Sequence, residues 1–238
     1  MTPESIPVRD VSAIECRTCG AGAPVDEHFC PNCSRILALG RHGDYFSFLG
    51  LPRALTIDAA DLERRFRELS RKFHPDFYYN ATSAERLASL ERSSYLNDAV
   101  RALRNPVTRI EHLLAIEGLP PARSEQGTAK VPPSLLEEVF ALNEELDEIR
   151  ELREAGGPAS ELAARVEKAR QPIEARRESH EAHLRELSER WDAQREAGTP
   201  EQKRVILTAL REQLLERNYI NNLLASIDRE SSHTGERA

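Results

Sequence analysis

Aromatic residues are scarce in this 238-residue chain, at 5%, with a single tryptophan and a single methionine. A β-sandwich or barrel draws its core from aromatic and β-branched side chains, so this scarcity argues against one. The chain also lacks an excess of positive charge: 33 Lys and Arg stand against 40 Asp and Glu, for a net charge of −7. A protein that grips nucleic-acid backbone needs a basic surface overall, which counts against that class. Nowhere do eighteen apolar residues run together, and residues 1–15 carry several charges with no apolar stretch of the kind a secretory leader needs. A soluble, cytoplasmic protein without membrane partners is expected. Cysteine is rare as well, four in all, and every one lies between positions 16 and 33.

What is abundant is Ala, Glu, Leu and Arg in long stretches, with charged residues at 31%. That is helical composition, and an all-α fold is expected. Composition and punctuation divide the chain into a four-cysteine segment over 1–40, a helical unit over 41–118, a linker over 119–133 and a second helical unit over 134–238. The linker is marked by Pro120, Pro121, Gly127, Pro132 and Pro133.

The cysteines read C-R-T-C and C-P-N-C, two C-x-x-C knuckles ten residues apart. Cys16, Cys19, Cys30 and Cys33 can then point four thiolates at one ion, and the Gly-x-Gly after Cys19 permits the tight turn this needs. The segment has almost no apolar residues with which to fold alone, so a bound ion would supply most of its folding free energy, on the order of 10 kcal/mol for structural zinc. Zinc in a closed, structural site is the leading reading, over redox dithiol pairs or an iron-sulfur site. His28 is expected at the surface, because four thiolates already complete a tetrahedron. A thiol oxidoreductase would want a βαβ context that this sequence lacks, and a nucleic-acid-binding zinc ribbon runs against the acidic balance.

Residues 44–51 read D-Y-F-S-F-L-G-L, a short apolar helix ending at Gly50. Asp58 is a good N-cap for a helix over 59–73, in which Leu62, Phe66, Leu69 and Phe73 form a core stripe. Arg64, Arg67 and Arg71 recur on the opposite side, flanked by Arg65 and Lys72, as a positive strip. Pro75 ends the helix, so His74, Pro75 and Asp76 form an exposed loop at the end of that strip. A further helix is expected from about 83 to 105, running through Leu87, Leu90, Tyr95, Leu96, Ala99 and Leu103. A short one follows over 107–117 and closes at Gly118.

In the second unit, apolar periodicity predicts helices over 134–155, about 159–197 and about 200–229, turning at Gly156-Gly157-Pro158 and Gly198-Thr199-Pro200. Leu162, Val166, Ala169, Ile173, His180, Leu184, Leu187 and Trp191 make a heptad-like seam, with a kink expected at Pro172. An elongated three-helix antiparallel bundle with frayed residues 230–238 is the expectation. In its first helix the seam is Leu135, Val139, Leu142, Leu146 and Ile149. Leu136 and Phe140 lie off that seam among Asn143, Glu144 and Asp147, either packed on another element or exposed as a partner site with an acidic rim. Trp191 and His42, His112, His180 and His183 show no ligand spacing.

The aromatic short helix, the arginine-faced helix, the His-Pro-Asp loop and the segment L-N-D-A-V-R-A-L-R-N-P-V-T-R together resemble the J-domain of DnaJ-type co-chaperones, over residues 44 to about 117. The resemblance implies docking on a heat-shock chaperone through Arg64, Arg67, Arg71 and Lys72, and stimulation of its ATPase through His74, Pro75 and Asp76. No catalytic group of this chain's own is implied. The four-cysteine segment followed by D-Y-F-S-F-L-G-L, H-P-D-F, L-N-D-A-V and L-N-E-E-L-D-E-I is similar, over residues 16 to about 229, to the HscB family of iron-sulfur co-chaperones. That likeness implies an IscU-type cluster scaffold as client, a DnaK/HscA-type chaperone as partner, and a scaffold contact at Leu136, Phe140, Glu144 and Tyr219. The chain departs from the family pattern at Glu137 and Ala141. A J-domain adaptor serving a different client is the alternative. Whether the cysteine segment braces the J-domain or joins copies in a homo-oligomer stays open.

Overall fold

A computed structural model of the chain describes residues 13–40, 43–119 and 132–235. The expectations for residues 1–12, for His42 and for Pro120, Pro121 and Gly127 lie outside the described residues. The chain divides into two compact units, Met1–Ile116 and Glu117–Ala238.

In the first unit β1 (Ala13–Glu15) and β2 (Gly22–Pro24) pair antiparallel, with Ile14 opposite Ala23. This small hairpin carries the first cysteine knuckle, and an isolated antiparallel bridge between Phe29 and Ile36 flanks the second; the two are the departures from an all-helical chain among the described residues. Four helices follow: α1 (Tyr45–Phe48), α2 (Ala59–Phe73), α3 (Ser83–Arg104) and α4 (Pro106–Ile116). Asp58 caps α2 as expected, accepting from the Ala60 amide at 2.9 Å. Thr82 and Glu85 form a reciprocal capping box that starts α3, a device worth about 1 kcal/mol. The core is Phe46, Phe48, Leu62, Phe73, Leu96, Ala99, Leu103 and Leu113, all nearly or fully enclosed.

One expectation about this core needs correction, and α3 adds a finding of its own. Phe66 and Leu69 are only half-buried. On α3, Leu87 and Leu90 are 48% and 55% exposed, whereas Glu85, Ala88, Ser89 and Arg92 are buried. The reason is rotational: Leu96, Ala99 and Leu103 fix the inward face, and stepping back by threes and fours reaches Arg92, Ala88 or Ser89, and Glu85. At 100° per residue Leu87 and Leu90 fall on the far side.

The second unit holds α5 (Leu136–Glu154), α6 (Ala159–Gln194) and α7 (Pro200–Gly235). The α6 seam is buried at all eight expected positions, and α6 runs as one helix through Pro172. Leu135, Val139, Leu142, Leu146 and Ile149 pack with Leu162, Val166, Ala169 and Ile173 and with Ile220, Leu223, Leu224 and Ile227. With 19 residues against 36 in each partner, α5 shares a core with only that part of the α6–α7 pair. The end of α7 is helical to Gly235 rather than frayed from 230. Glu230 explains this, since its carboxylate accepts from Arg150 at 2.8 Å and Arg153 at 2.7 Å and ties α7 to α5. Among the described residues no helix is long and apolar enough to cross a membrane.

Candidate functional site

The two C-x-x-C knuckles fold alike because each repeats the same backbone hydrogen bonds. The Gly20 amide donates to the Cys16 carbonyl and the Ser34 amide to the Cys30 carbonyl, both at 2.8 Å. The Cys16 amide returns to the Ala21 carbonyl at 2.9 Å and the Cys30 amide to the Arg35 carbonyl at 2.8 Å. Each knuckle turns on a left-handed residue, Gly20 (φ 70°) and Ser34 (φ 58°). The result brings all four Sγ atoms within 4.8 Å of one another, with Cys16–Cys33 and Cys19–Cys30 each at 3.6 Å.

Tetrahedral zinc–thiolate bonds of about 2.3 Å require sulfurs about 3.8 Å apart, so this donor set fits a closed metal site. Backbone amides of Cys19 and Thr18 lower the Cys16 thiol. The Asn32 amide and the backbone of Ala21 lower Cys19 to about 6. The Arg35 amide acts the same way on Cys33, but burial and the three neighbouring thiols outweigh it and push Cys33 up to about 12. Cys16, Cys19 and Cys33 therefore differ in proton affinity, and a cation bound there would displace the protons they hold.

The apolar core of this segment is slight: Ala23 and Leu37 with Cys16 and Cys30. Its remaining attachments reach the helices. His28 is not at the surface but half-buried, edge-on to Phe48 (4.8 Å between centroids) and Phe73 (5.0 Å). Fully buried Arg92 donates to His28 Nδ1 and to the Leu37 carbonyl, each at 2.8 Å. Glu85, beyond capping α3, pairs with Arg35 at 3.1 Å. Sequence reading missed Arg92 and His28. The available signal was a lone arginine at core spacing, four residues before Leu96 and four after Ala88.

His74, Pro75 and Asp76 follow α2 directly, and Pro75–Tyr78 forms a single 3-10 turn. The Asp76 amide donates to His74 Nδ1 at 3.3 Å, so Nε2 is the ring nitrogen outside that bond. His74 and Asp76 are exposed, while Phe73 just before them is fully buried. The Tyr78 hydroxyl donates to the Lys72 carbonyl at 3.0 Å and folds the turn back over the end of α2.

Arg64, Arg67, Arg71 and Lys72 are all exposed, so the strip and the loop share one helix and its end. The strip is less positive than its arginines suggest. Arg64 pairs with Asp61 and with Glu68 (3.0 Å), and Arg67 approaches Glu63 at 3.8 Å. Arg71 and Lys72, nearest the loop, are the ones without an acidic neighbour of this kind in the ion pairs α2 makes. Arg65 is a bracket, donating to the carbonyls of Leu49 and Gly50 at 3.0 and 2.8 Å and holding α1 against α2.

In the second unit Leu136 is 40% and Phe140 66% exposed, so neither is consumed by packing. Glu144 is exposed beside them. Arg176 reaches both the Ser134 carbonyl (3.3 Å) and Glu216 (2.7 Å), which sets the 216 turn of α7 beside the start of α5. That turn carries exposed Leu215 and half-buried Tyr219, and Tyr219 packs against the bundle core. Tyr219 is thus part wall, part surface.

No family model matches the chain. Among solved structures it is similar to that of human co-chaperone protein HscB, at 24% identity and a TM-score of 0.62, covering 91% of this chain and 98% of the other. It is similar also to the chaperone HscB from Vibrio cholerae, at 24% identity and a TM-score of 0.57, covering 80% and 99%. The chain shares the fold of these proteins.

Proposed function

We propose that this chain is a J-type co-chaperone of the HscB kind, which binds an IscU-type iron-sulfur scaffold, presents it to a DnaK/HscA-type heat-shock chaperone and stimulates that chaperone's ATPase. The observation that carries the reading is the exposed His74-Pro75-Asp76 turn at the end of an arginine-bearing helix, on a fold shared with two HscB structures. Such a turn offers an imidazole, a carboxylate and two adjacent cations, Arg71 and Lys72, within one helical turn. It can steer toward an acidic surface and then orient by hydrogen bonds. The second unit supplies what the first lacks, an apolar contact at Leu136 and Phe140 rimmed by Glu144, which suits a protein client. The chain contributes binding and positioning rather than a catalytic group of its own, in the cytoplasm.

Zinc is the metal that the four thiolates suit best. Bound there by Cys16, Cys19, Cys30 and Cys33 it would act as a structural cross-link with no open position for a substrate.

The test is steady-state ATP hydrolysis by a DnaK-type chaperone with the full chain and an IscU-type scaffold present together. Stimulation by the native chain is expected, with its loss in the His74→Gln variant at unchanged circular dichroism. Undiminished stimulation by His74→Gln would reject the loop assignment. Stimulation without any scaffold capture would favour the adaptor for another client.

A further inference from the structure

One guanidinium gathers both chain segments that flank the second cysteine knuckle. Arg92 Nε donates to the Leu37 carbonyl at 2.8 Å, and a terminal nitrogen donates to His28 Nδ1 at 2.8 Å. The other terminal nitrogen donates to the Ala38 carbonyl at 3.2 Å and the Glu27 carbonyl at 3.3 Å. Residues 27–28 lead into the knuckle and residues 37–38 leave it, so the acceptors of Arg92 exist as a set only while the knuckle is closed. The Leu37 amide donating to the His28 carbonyl at 3.0 Å holds the same two segments together.

The other side of this arrangement is Phe73. Its ring meets His28 edge-on, lies 6.1 Å from the ring of Phe29, and sits 5.7 Å from the Arg92 guanidinium carbon. Its carbonyl accepts from Ser89 (2.6 Å) and Ser93 (2.9 Å) on α3. Phe73 is the last residue of α2, and His74 is the next in the chain. The cysteine segment therefore covers the residue from which the His-Pro-Asp turn departs.

We propose that the four-cysteine segment is a clamp on the His-Pro-Asp turn, with Arg92 as the positioning residue that transmits it. When a metal closes the knuckles, the carbonyl cage holds Arg92, and Arg92 with His28 holds Phe73 and so the departure of His74. When the metal leaves, the slight core of the segment cannot keep the cage closed. A buried guanidinium without acceptors is untenable, so Arg92 turns to solvent and the cover over Phe73 goes with it. The first helical unit keeps its own core at Leu62, Leu96, Ala99 and Leu103, so the loosening is confined to the turn. Its consequence for a chaperone rests on the co-chaperone reading above; the loosening itself rests on this geometry.

The test uses the full-length, zinc-loaded chain and the same chain stripped with a chelator. Amide hydrogen exchange is followed at Phe73, His74, Phe77 and Ala81, with the amides of residues 66–69 and 99–103 as internal controls. Stripping is expected to speed exchange at the turn by about tenfold or more and to leave the controls within about twofold. The zinc-loaded Arg92→Leu variant should show the same loosening with its zinc retained. In the chaperone assay both should raise the concentration for half-maximal stimulation and leave the maximal rate unchanged. Unchanged exchange at the turn after stripping would overturn the proposal, as would a collapse of the control amides together with the turn. A chaperone that ignores even the native chain would instead reject the co-chaperone reading, and the exchange result would stand apart from it.

Discussion

Gly20 and Ser34 occupy the same place in the two cysteine knuckles, one residue past the second thiol, and both hold a left-handed backbone. Glycine does so without cost, whereas a residue with a Cβ is destabilised there by roughly 1 kcal/mol. Ser34→Gly is therefore expected to stabilise the metal-loaded first unit by about 0.5–1 kcal/mol, less the extra entropy glycine gives the unfolded chain. Urea titration of the zinc-loaded protein measures it, and a loss of stability would mean that the Ser34 side chain holds something the backbone does not reveal.

Metal loading should follow the thiols. With Cys33 pushed up to about 12, the metal-free site still carries a proton there at neutral pH, and binding must displace it. About one zinc per chain is expected, released with rising ease as pH falls from about 7.5 to 6, at about tenfold in affinity per pH unit for each proton displaced. Competition with a chromophoric chelator at several pH values measures this, and a pH-independent affinity would count against thiolate ligation.

On the bundle, Leu136→Ala combined with Phe140→Ala removes two exposed apolar side chains that support little of the fold. Scaffold affinity is expected to fall by about tenfold or more, because a few apolar anchors dominate such interfaces. Unfolding midpoints should stay within experimental scatter. Calorimetry with equal affinities for the double variant and the native chain would remove this face from the proposal.

His180 makes the bundle acid-sensitive. Burial lowers its pKa, Nε2 donates to the Gln213 carbonyl at 2.9 Å, and Nδ1 is buried without a hydrogen-bond partner. In the unfolded chain the ring takes up a proton near its ordinary value of about 6.5, which the folded ring resists. Stability is thus undiminished above that pH and falls as pH drops through it. His112, also lowered by burial and accepting from the Tyr45 amide at 2.9 Å, acts in the same direction in the first unit. The urea midpoint of the bundle should drop between about pH 7 and 5.5, and His180→Gln should flatten that dependence. A parallel pH profile for the variant would assign the effect elsewhere.

Local rules carried much of the chain. Asp58 as a cap, Pro75 as a stop, Gly156 as a turn and the eight-residue seam of α6 all express interactions between residues a few positions apart, which periodicity and capping chemistry report directly. The four cysteines were legible for the same reason, since metal geometry constrains their spacing before anything else folds.

What sequence alone could not assign was rotation and reach. The inward face of α3 depends on which side α1 and α2 approach, and that approach leaves Leu87 and Leu90 at solvent and Arg92 in the core. Arg92 meets His28 across 64 positions, and Glu230 meets Arg150 across 80, contacts that no local pattern encodes. The sequence by itself determined the helices, the four-cysteine cluster and the His-Pro-Asp turn, because each follows from short-range stereochemistry. Only the tertiary structure decided that the cysteine segment sits over Phe73 and that Leu136 and Phe140 stay exposed, because burial is settled by which distant surfaces meet.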